Sequence, residues 1–328
     1  MARVLVAYGP TRVGRDRAGQ ERLEQHILST VGDVSLALRD KGHKVETAAL
    51  RRDPRRFLTF ARRFRPDVLF NLCEGIAGDA SLEKNAAALF ELGRWRLTGN
   101  PCLALAMCQE KALTKRLLRA ARIDTPDFVP VPPGEELTEH FELPAIVKPI
   151  RADGSLGISR RSVVKTVGAL RQRIGWVHRR FAQTALVERY VAGREFQVAL
   201  IGNGNPEVLA VAELSYAGLP KELPRICSYS AKWHPYSAYY KHTNPVVPAE
   251  IPDALRRRLE VAATRAFQLL GLRGYARVDF RMGPRRPQVI DVNPNCDISA
   301  DAGLARAARH AGLGYADLCD RIVQLALE

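Results

Sequence analysis

Ala276-Arg-Val-Asp-Phe-Arg281 and Gln288-Val-Ile-Asp-Val-Asn-Pro294 are two stretches in which apolar and polar residues alternate, with Gly283-Pro-Arg-Arg286 between them. Period-two alternation belongs to strands with one buried face, and a Gly/Pro connector of this length closes an antiparallel hairpin. Alternation puts Arg277 and Asp279 on one face of the first strand, with Val278 and Phe280 turned to the core. Asp291 and Asn293 likewise share a face, opposite Ile290 and Val292. A register that sets Asp279 against Asp291 also sets Arg277 against Asn293. Two carboxylates and an amide oxygen beside one cation would repel each other unless a hard cation lay between them. That donor set suits Mg²⁺, which takes oxygen ligands and keeps positions open for phosphate. A solvent-facing hairpin has the same alternation, and Asn293-Pro-Asn295 directly after the second strand argues against it.

Around this hairpin the chain has 328 residues, 46% hydrophobic and 26% charged, which is ordinary globular composition and length for two or three domains. Its net charge is +15, with 50 basic side chains of which 40 are Arg. That charge raises nucleic-acid binding, but the arginines are spread over the whole length (Arg51-Arg52, Arg160-Arg161, Arg256 to Arg258) rather than gathered in one helix or tail. A solvated surface, or a site for a small polyanion, accounts for them better. No apolar run reaches the ~20 residues that span a bilayer, and the start lacks a signal-peptide layout, so the expected setting is cytoplasmic, with no membrane partner. Six cysteines without a C-x-x-C pair read as reduced, packed thiols.

Along the chain, Arg3 to Ala7 reads as a strand, followed by a Gly/Pro/Arg-rich loop, Gly9 to Gly19. A helix follows with Leu23, Ile27, Val31, Val34 and Leu38 on one face and stops at Gly42. Strands at 44–48 and 67–71 and a helix at 82–92 continue an α/β pattern with a parallel sheet. From Gln109 the pattern changes: a helix at 110–121, strands at 145–148 and 162–166, a helix at 167–181, and strands at 185–190 and 195–201. Residues 213–250 read as a long excursion, a helix covers 253–270, and 304–327 closes the chain helically. No internal repeat is present.

Three further stretches could carry chemistry. Ala145-Ile-Val-Lys-Pro-Ile-Arg-Ala-Asp-Gly-Ser-Leu-Gly157 delivers Lys148 at the end of an apolar strand, before a loop whose backbone N–H groups and Ser155 hydroxyl can approach a polyphosphate. Lys148 reads equally as a snorkelling surface lysine. Leu186-Val-Glu-Arg-Tyr-Val-Ala-Gly-Arg-Glu-Phe196 sets Glu188 and Glu195 on either side of a Gly-bearing turn, able to meet a purine edge and ribose hydroxyls. By itself it reads better as a hairpin with two exposed glutamates. Lys111 and Lys115 lie one helical turn apart in Gln109-Glu-Lys-Ala-Leu-Thr-Lys115, a basic stripe of the kind that is usually solvated.

In order and spacing these stretches together resemble the ATP-grasp superfamily: a helix lysine, a strand lysine before Pro and a Gly/Ser loop, Glu-x-Tyr-Val-x-Gly-x-Glu, then Arg-x-Asp followed by Asp-x-Asn. The resemblance covers nearly the whole chain and is nearest to the D-alanine–D-alanine ligase branch. Phe70-Asn-Leu-Cys-Glu-Gly75 is similar to that branch's Phe-Asn-x-x-His-Gly, and Ala307-Ala-Arg-His-Ala-Gly312 to its C-terminal helix. It implies an α/β (α+β) chain with a Rossmann-like preATP-grasp domain over 1–108, an ATP-grasp central subdomain over 109–187 and a C-terminal subdomain with the metal and acceptor site over 188–328. Carried over, Lys111, Lys148 and Lys232 (in Ala231-Lys-Trp) would contact ATP phosphates and Ser155 would close over them. Glu188, Tyr190 and Val191 would form the adenine hinge, and Glu195 would hold ribose. Asp279, Asp291 and Asn293 would bind two Mg²⁺, with Mn²⁺ as the alternative ion, and Arg277 would face the reacting centre. Arg277, Lys148 and Ser155 are thus the expected catalytic groups. The implied reaction joins a small carboxylate to an amine through an acylphosphate, and ligases of this branch are commonly homodimers.

The departures fall on substrate recognition. The branch's histidine is Glu74 here, its paired serines are Gly154-Ser155, and the tyrosine after the lysine is Trp233. Its Asn-x-x-Pro-Gly segment reads Asn293-Pro-Asn-Cys-Asp297, with Ala302-Gly303 in the place of Ser-Leu. The N-terminal glutamate has Glu24 or Gln25 as its nearest counterpart. Loss of several hydrogen-bonding partners together predicts a substrate pair other than D-alanine with D-alanine. Glu74, Asp297 and Asp301 would make the acceptor side acidic and suited to an amine-bearing substrate, unless they merely pair with arginines. A true D-alanine–D-alanine ligase, and more remotely a non-catalytic nucleic-acid binder, are the alternatives.

Overall fold

The computed structural model describes residues 1–9, 17–138 and 140–328, with the side chains of residues 17–24 left out. Most of the loop expected at 9–19, and the Leu23 and Glu24 side chains, lie outside the described residues. Strand β1 (Arg3–Tyr8) is the centre of a parallel sheet, flanked by β2 (Lys44–Ala49) and β3 (Val68–Leu72), with β4 (Arg96–Leu97) beyond β3. Val4 to Ala7 are all buried because the sheet is covered on both faces. Val4 and Val6 pack with α1 (Arg17–Asp40), whereas Leu5 and Ala7 pack with α2 (Arg55–Phe64) and α3 (Glu83–Leu92).

A second sheet, wholly antiparallel, combines β5 (Phe128–Val131), β6 (Ala145–Pro149), β7 (Val163–Val164) and β8 (Ala185–Arg189) in the order β5-β8-β6-β7. Helix α6 (Val167–Phe181) backs it through Leu170, Ile174 and Val177. The third sheet holds β9 (Glu195–Asn203), β10 (Glu207–Ser215), β11 (Asn244–Val246), β12 (Arg273–Met282) and β13 (Pro287–Asn293) in the order β11-β10-β9-β12-β13. Helix α9 (Asp253–Leu269) packs Leu259, Ala263, Ala266 and Phe267 onto it.

The hairpin of β12 and β13 has Arg277 opposite Asn293 and Asp279 opposite Asp291, and a bulge after Asp279 then pairs Phe280 with Val289. Several expectations need correction. A separate helix, α4 (Cys102–Gln109), precedes α5 (Lys111–Ala120), because Glu110 leaves helical geometry between them. Residues 160–162 form a 3-10 turn capped by Ser159, which leaves only a two-residue strand there. The excursion loses its start to β10, and it contains two short helices, α7 (Tyr229–Trp233) and α8 (Ala238–His242). The terminal helix is two, α10 (Gly303–His310) and α11 (Tyr315–Leu327), separated where Gly312 takes a positive φ of 84°.

The sheets are tied together by long-range contacts. Helix α11 packs Leu318, Ile322 and Val323 against Val31, Val34 and Leu38 of α1, and the His43 ring bonds both Ala2 N (3.1 Å) and Asp320 (2.7 Å). Asn100, fully buried, donates to the carbonyls of Tyr275 (2.9 Å) and Pro294 and accepts from Arg273 N (3.0 Å). Beside it a Cβ on Gly274 (φ +70°) would stand 3.0 Å from Gly99 N, so the backbones meet only because glycine is there. Asn100→Ala would strand these buried groups, each costing about 1–3 kcal/mol. The expected result is a melting temperature lower by about 5 °C or more, read by differential scanning calorimetry.

Candidate active site

The side chains that matter come from strands, two helices and a turn, and face one cleft of about 880 Å³. Lys111, Lys148, Ser155, Glu188, Tyr190, Val191, Glu195, Lys232, Arg277, Asp279, Asp291 and Asn293 all line it. Strand β6 carries Lys148 just before its last residue and β8 carries Glu188 next to it, since the register pairs Lys148 with Leu186 and Ile146 with Glu188. Glu188 is 1% exposed, and its carboxylate lies 2.8 Å from Lys148 Nζ and 3.2 Å from Lys115 Nζ. Lys115 also donates to Thr125 Oγ1 at 2.8 Å.

These contacts replace the solvated readings of the sequence. Lys111, Lys115, Lys148, Glu188 and Glu195 are all buried, because the helix stripe and the hairpin face each other across the cleft. Burial opposes the charge of Glu188, yet Lys115 and Lys148 outweigh it and hold its carboxyl below the ordinary range. Burial also pushes Lys115 down to about 8, with Glu188 opposing and Lys148 adding to the fall. One carboxylate between two ammonium groups leaves an excess cation facing the cleft.

Opposite these lysines, Arg277 donates twice to Asp279, at 2.7 and 2.9 Å, and Asn293 Nδ2 donates to Asp279 Oδ2 at 3.2 Å. Burial works against the Arg277 charge, but Asp279 overcomes it and raises its pKa. Lys111 lies 2.9 Å from Asp153 and 3.5 Å from Asp291. Burial disfavours the ionised Asp291, and Lys111, Lys148, Lys115 and Arg277 more than offset that, so its carboxyl is held below the usual value. Lys232 forms no ion pair among the described residues. Ser155 follows Gly154 in a turn where both have φ near +60°, a conformation costly for serine.

Two carboxylates and an amide oxygen are hard donors that fit Mg²⁺. Among the described residues no three His, Cys, Asp or Glu converge as a metal cage.

A second cavity, of about 430 Å³, opens beyond the end of β13 and is lined by Asn71, Glu74, Glu83, His26, Asn295 and Asp297 among others. Its walls hold Glu83 up at about 8 through burial and then Asp153's charge, and Glu74 up at about 7 through burial and then Asp297's. The Glu74 side chain is itself exposed, so solvent screens the neighbouring charges that add to its shift. Burial opposes the Asp297 charge, but His26, at 3.6 Å, and Ser299 bring it down to about 2. Neither Glu74 nor Asp297 pairs with an arginine among the described residues. Asp301 is exposed and lines neither cavity, while Gln25 is exposed on α1.

Sequence reasoning missed Asp153, which holds Lys111, and it missed Arg281 and Asn71. Arg281 shares the alternation of Arg277 and Asp279, a signal that was available. Asn71, 2% exposed, has an Nδ2 without a partner among the described residues and was legible only as part of a motif.

A family model described as "D-ala D-ala ligase C-terminus" matches residues 125–324. A D-alanine–D-alanine ligase of Moorella thermoacetica is 33% identical over 92% of this chain and 94% of its own length. The chain belongs to the D-alanine–D-alanine ligase family of ATP-grasp proteins. As a member of that family it is an ATP-dependent, ADP-forming ligase of the acid–amino-acid kind. A second relative, the uncharacterized protein y4sG of Sinorhizobium fredii, is 31% identical over 89% of this chain and 86% of its own length. The D-alanine–D-alanine ligase of Bacillus anthracis complexed with ATP has the same fold, at a TM-score of 0.77 and 20% identity over 100% of this chain and 98% of that one. These relatives favour the D-alanine–D-alanine ligase reading over the expectation that excludes that substrate pair. Among the described residues no helix is long and apolar enough to cross a membrane.

Proposed function

We propose that the chain joins D-alanine to D-alanine through an acylphosphate, in the cytoplasm, with two Mg²⁺, or Mn²⁺ in their place, and as a homodimer. The observation that supports the chemistry is the placement of Arg277, Asp279, Asp291 and Asn293 across one cleft from Lys111 and Lys148. The substrate pair rests on the relatives' names. Lys111, Lys148 and Lys232 take the triphosphate, and the Ser155 turn closes over it and keeps water from the acylphosphate. Glu188 spends its carboxylate on Lys148 and Lys115, so within the hinge with Tyr190 and Val191 it positions Lys148 for phosphate. Glu195 takes the ribose. Asp279, Asp291 and Asn293 hold the ions, which when bound would neutralise charge on the phosphate oxygens. The first substrate's carboxylate attacks the γ-phosphorus in line, releasing ADP. The second substrate's amine then attacks the acyl carbon, Arg277 steadies the oxyanion, and phosphate departs as the nitrogen gives up its surplus proton to the phosphate or to water.

A second reading is favoured by the ionised Asp297 beside Glu74, which suits a substrate with an additional cationic group. Incubation with ATP, Mg²⁺ and D-alanine decides between them. D-alanyl-D-alanine formed with equimolar phosphate supports the first reading. Absence of dipeptide with D-alanine, together with ADP release when diamino acids are supplied, would replace it by the second. An ATP-induced rise in melting temperature of about 3 °C or more that requires Mg²⁺ is expected in either case.

A further inference from the structure

Arg281 has no part in the chemistry above, yet it is 4% exposed and lines the same cleft. The register of β12 on β9 sets it opposite Glu195. Its Nη2 donates to Glu195 Oε2 and to the Arg225 carbonyl, and its Nη1 donates to the Gly193 carbonyl at 3.1 Å. The Tyr216 hydroxyl donates to the same Glu195 oxygen at 2.6 Å, and the Tyr190 hydroxyl donates to the Arg225 carbonyl at 3.0 Å. The guanidinium carbon stands 5.5 Å from the Tyr216 ring centre and 5.9 Å from that of Tyr190. One cation therefore joins the hinge, the turn before β9, the Glu195 carboxylate and the excursion after β10.

A buried ion pair returns little net stability, because desolvation of both charges cancels most of their attraction. What it does supply is orientation. Both donors converge on Oε2 of Glu195, whereas Oε1 makes no hydrogen bond among the described residues and is not one of the solvent-free unpartnered atoms. Oε1 is thus the oxygen left open to the cleft.

We propose that Arg281, with Tyr216, is the positioning residue for sugar recognition: by occupying one oxygen of Glu195 it presents the other as a single oriented acceptor for a ribose hydroxyl, and so selects ribonucleoside over deoxyribonucleoside triphosphates. The inference rests on the ATP reading of the cleft. The test measures Kd by calorimetry, and KM and kcat in turnover, for ATP and 2′-deoxy-ATP, with wild type, Arg281→Met, Arg281→Lys and Tyr216→Phe. Wild type is expected to favour ATP by about 10-fold or more, the value of a charge-assisted hydrogen bond. Arg281→Met should raise Kd and KM for ATP by about 10-fold but those for 2′-deoxy-ATP by under about threefold, with the effect on KM rather than kcat. Arg281→Lys should restore part of the discrimination. Equal losses for both nucleotides, or a wild type blind to the 2′ position, would overturn the proposal. Should Arg281→Met fail to fold, Tyr216→Phe decides: it should narrow the preference by about threefold, and an unchanged preference refutes the idea. A wild type that binds neither nucleotide refutes the ATP reading itself, a result distinct from loss of discrimination.

Discussion

Asp291→Asn is expected to lower turnover by about 10³-fold or more while the melting temperature stays within about 2 °C of wild type. The fold should tolerate the change because the Asp291 carboxylate supports little structure: it bonds the adjacent Val292 N at 3.2 Å and lies 3.5 Å from Lys111. Lys111 keeps Asp153 at 2.9 Å, so removing one negative charge does not strand a buried ammonium. The chemical loss is large because a neutral amide contributes one oxygen without charge to an ion that prefers carboxylates. Steady-state ADP release across a Mg²⁺ titration checks this. The variant should need several-fold more Mg²⁺, and retained activity at wild-type Mg²⁺ would overturn the metal assignment.

Arg277→Met should lower kcat by about 10²- to 10³-fold, the range measured when one donor to a developing oxyanion is removed. Its KM for ATP should move much less, because the triphosphate is assigned to the lysines. A complication is that Asp279, 8% exposed, would lose both of its arginine hydrogen bonds. Arg277→Lys, which keeps a cation beside that carboxylate, should therefore recover part of the loss that arises through Asp279. Pre-steady-state quench measurements separate the steps. Formation of ADP should slow less than formation of the amide, and equal slowing would place Arg277 at phosphoryl transfer instead.

A pH dependence of stability follows from Glu188. Its folded pKa lies below the unfolded value, so the contribution is present above the ordinary carboxylate pKa and is lost as pH falls through the folded one. Glu188→Gln should therefore destabilise the protein near neutral pH and leave it closer to wild type in acid, as read from denaturant midpoints at several pH values. A deficit that does not shrink on acidification would contradict the ion-pair account.

The hairpin was legible because alternation is a local property: with side chains pointing up and down in turn, the opposed positions of Asp279 and Asp291 follow once the strands pair. Only the bulge after Asp279 was hidden, since a one-residue insertion leaves the hydrophobic pattern nearly unchanged. The family resemblance carried by Lys111, Lys148, Glu188, Glu195 and the hairpin acids likewise led to residues that share one cleft. Burial was not legible. A lysine one turn from another reads as solvated on its own helix, and it takes β8, brought from more than seventy residues away, to enclose Lys115 with Glu188.

The sequence by itself determined the strand and helix grammar and the acid–amide face of the hairpin, because each is written in residues close together along the chain, and the order of the groups suited to a triphosphate was legible through the family resemblance. Tertiary structure alone decided that Lys111, Lys115 and Lys148 are buried among acids, that Arg281 clasps Glu195, that α11 seats on α1, and that Asp301 stays outside the second cavity. Those outcomes depend on which distant surfaces meet and on how desolvation balances charge there, and neither quantity has a local signature.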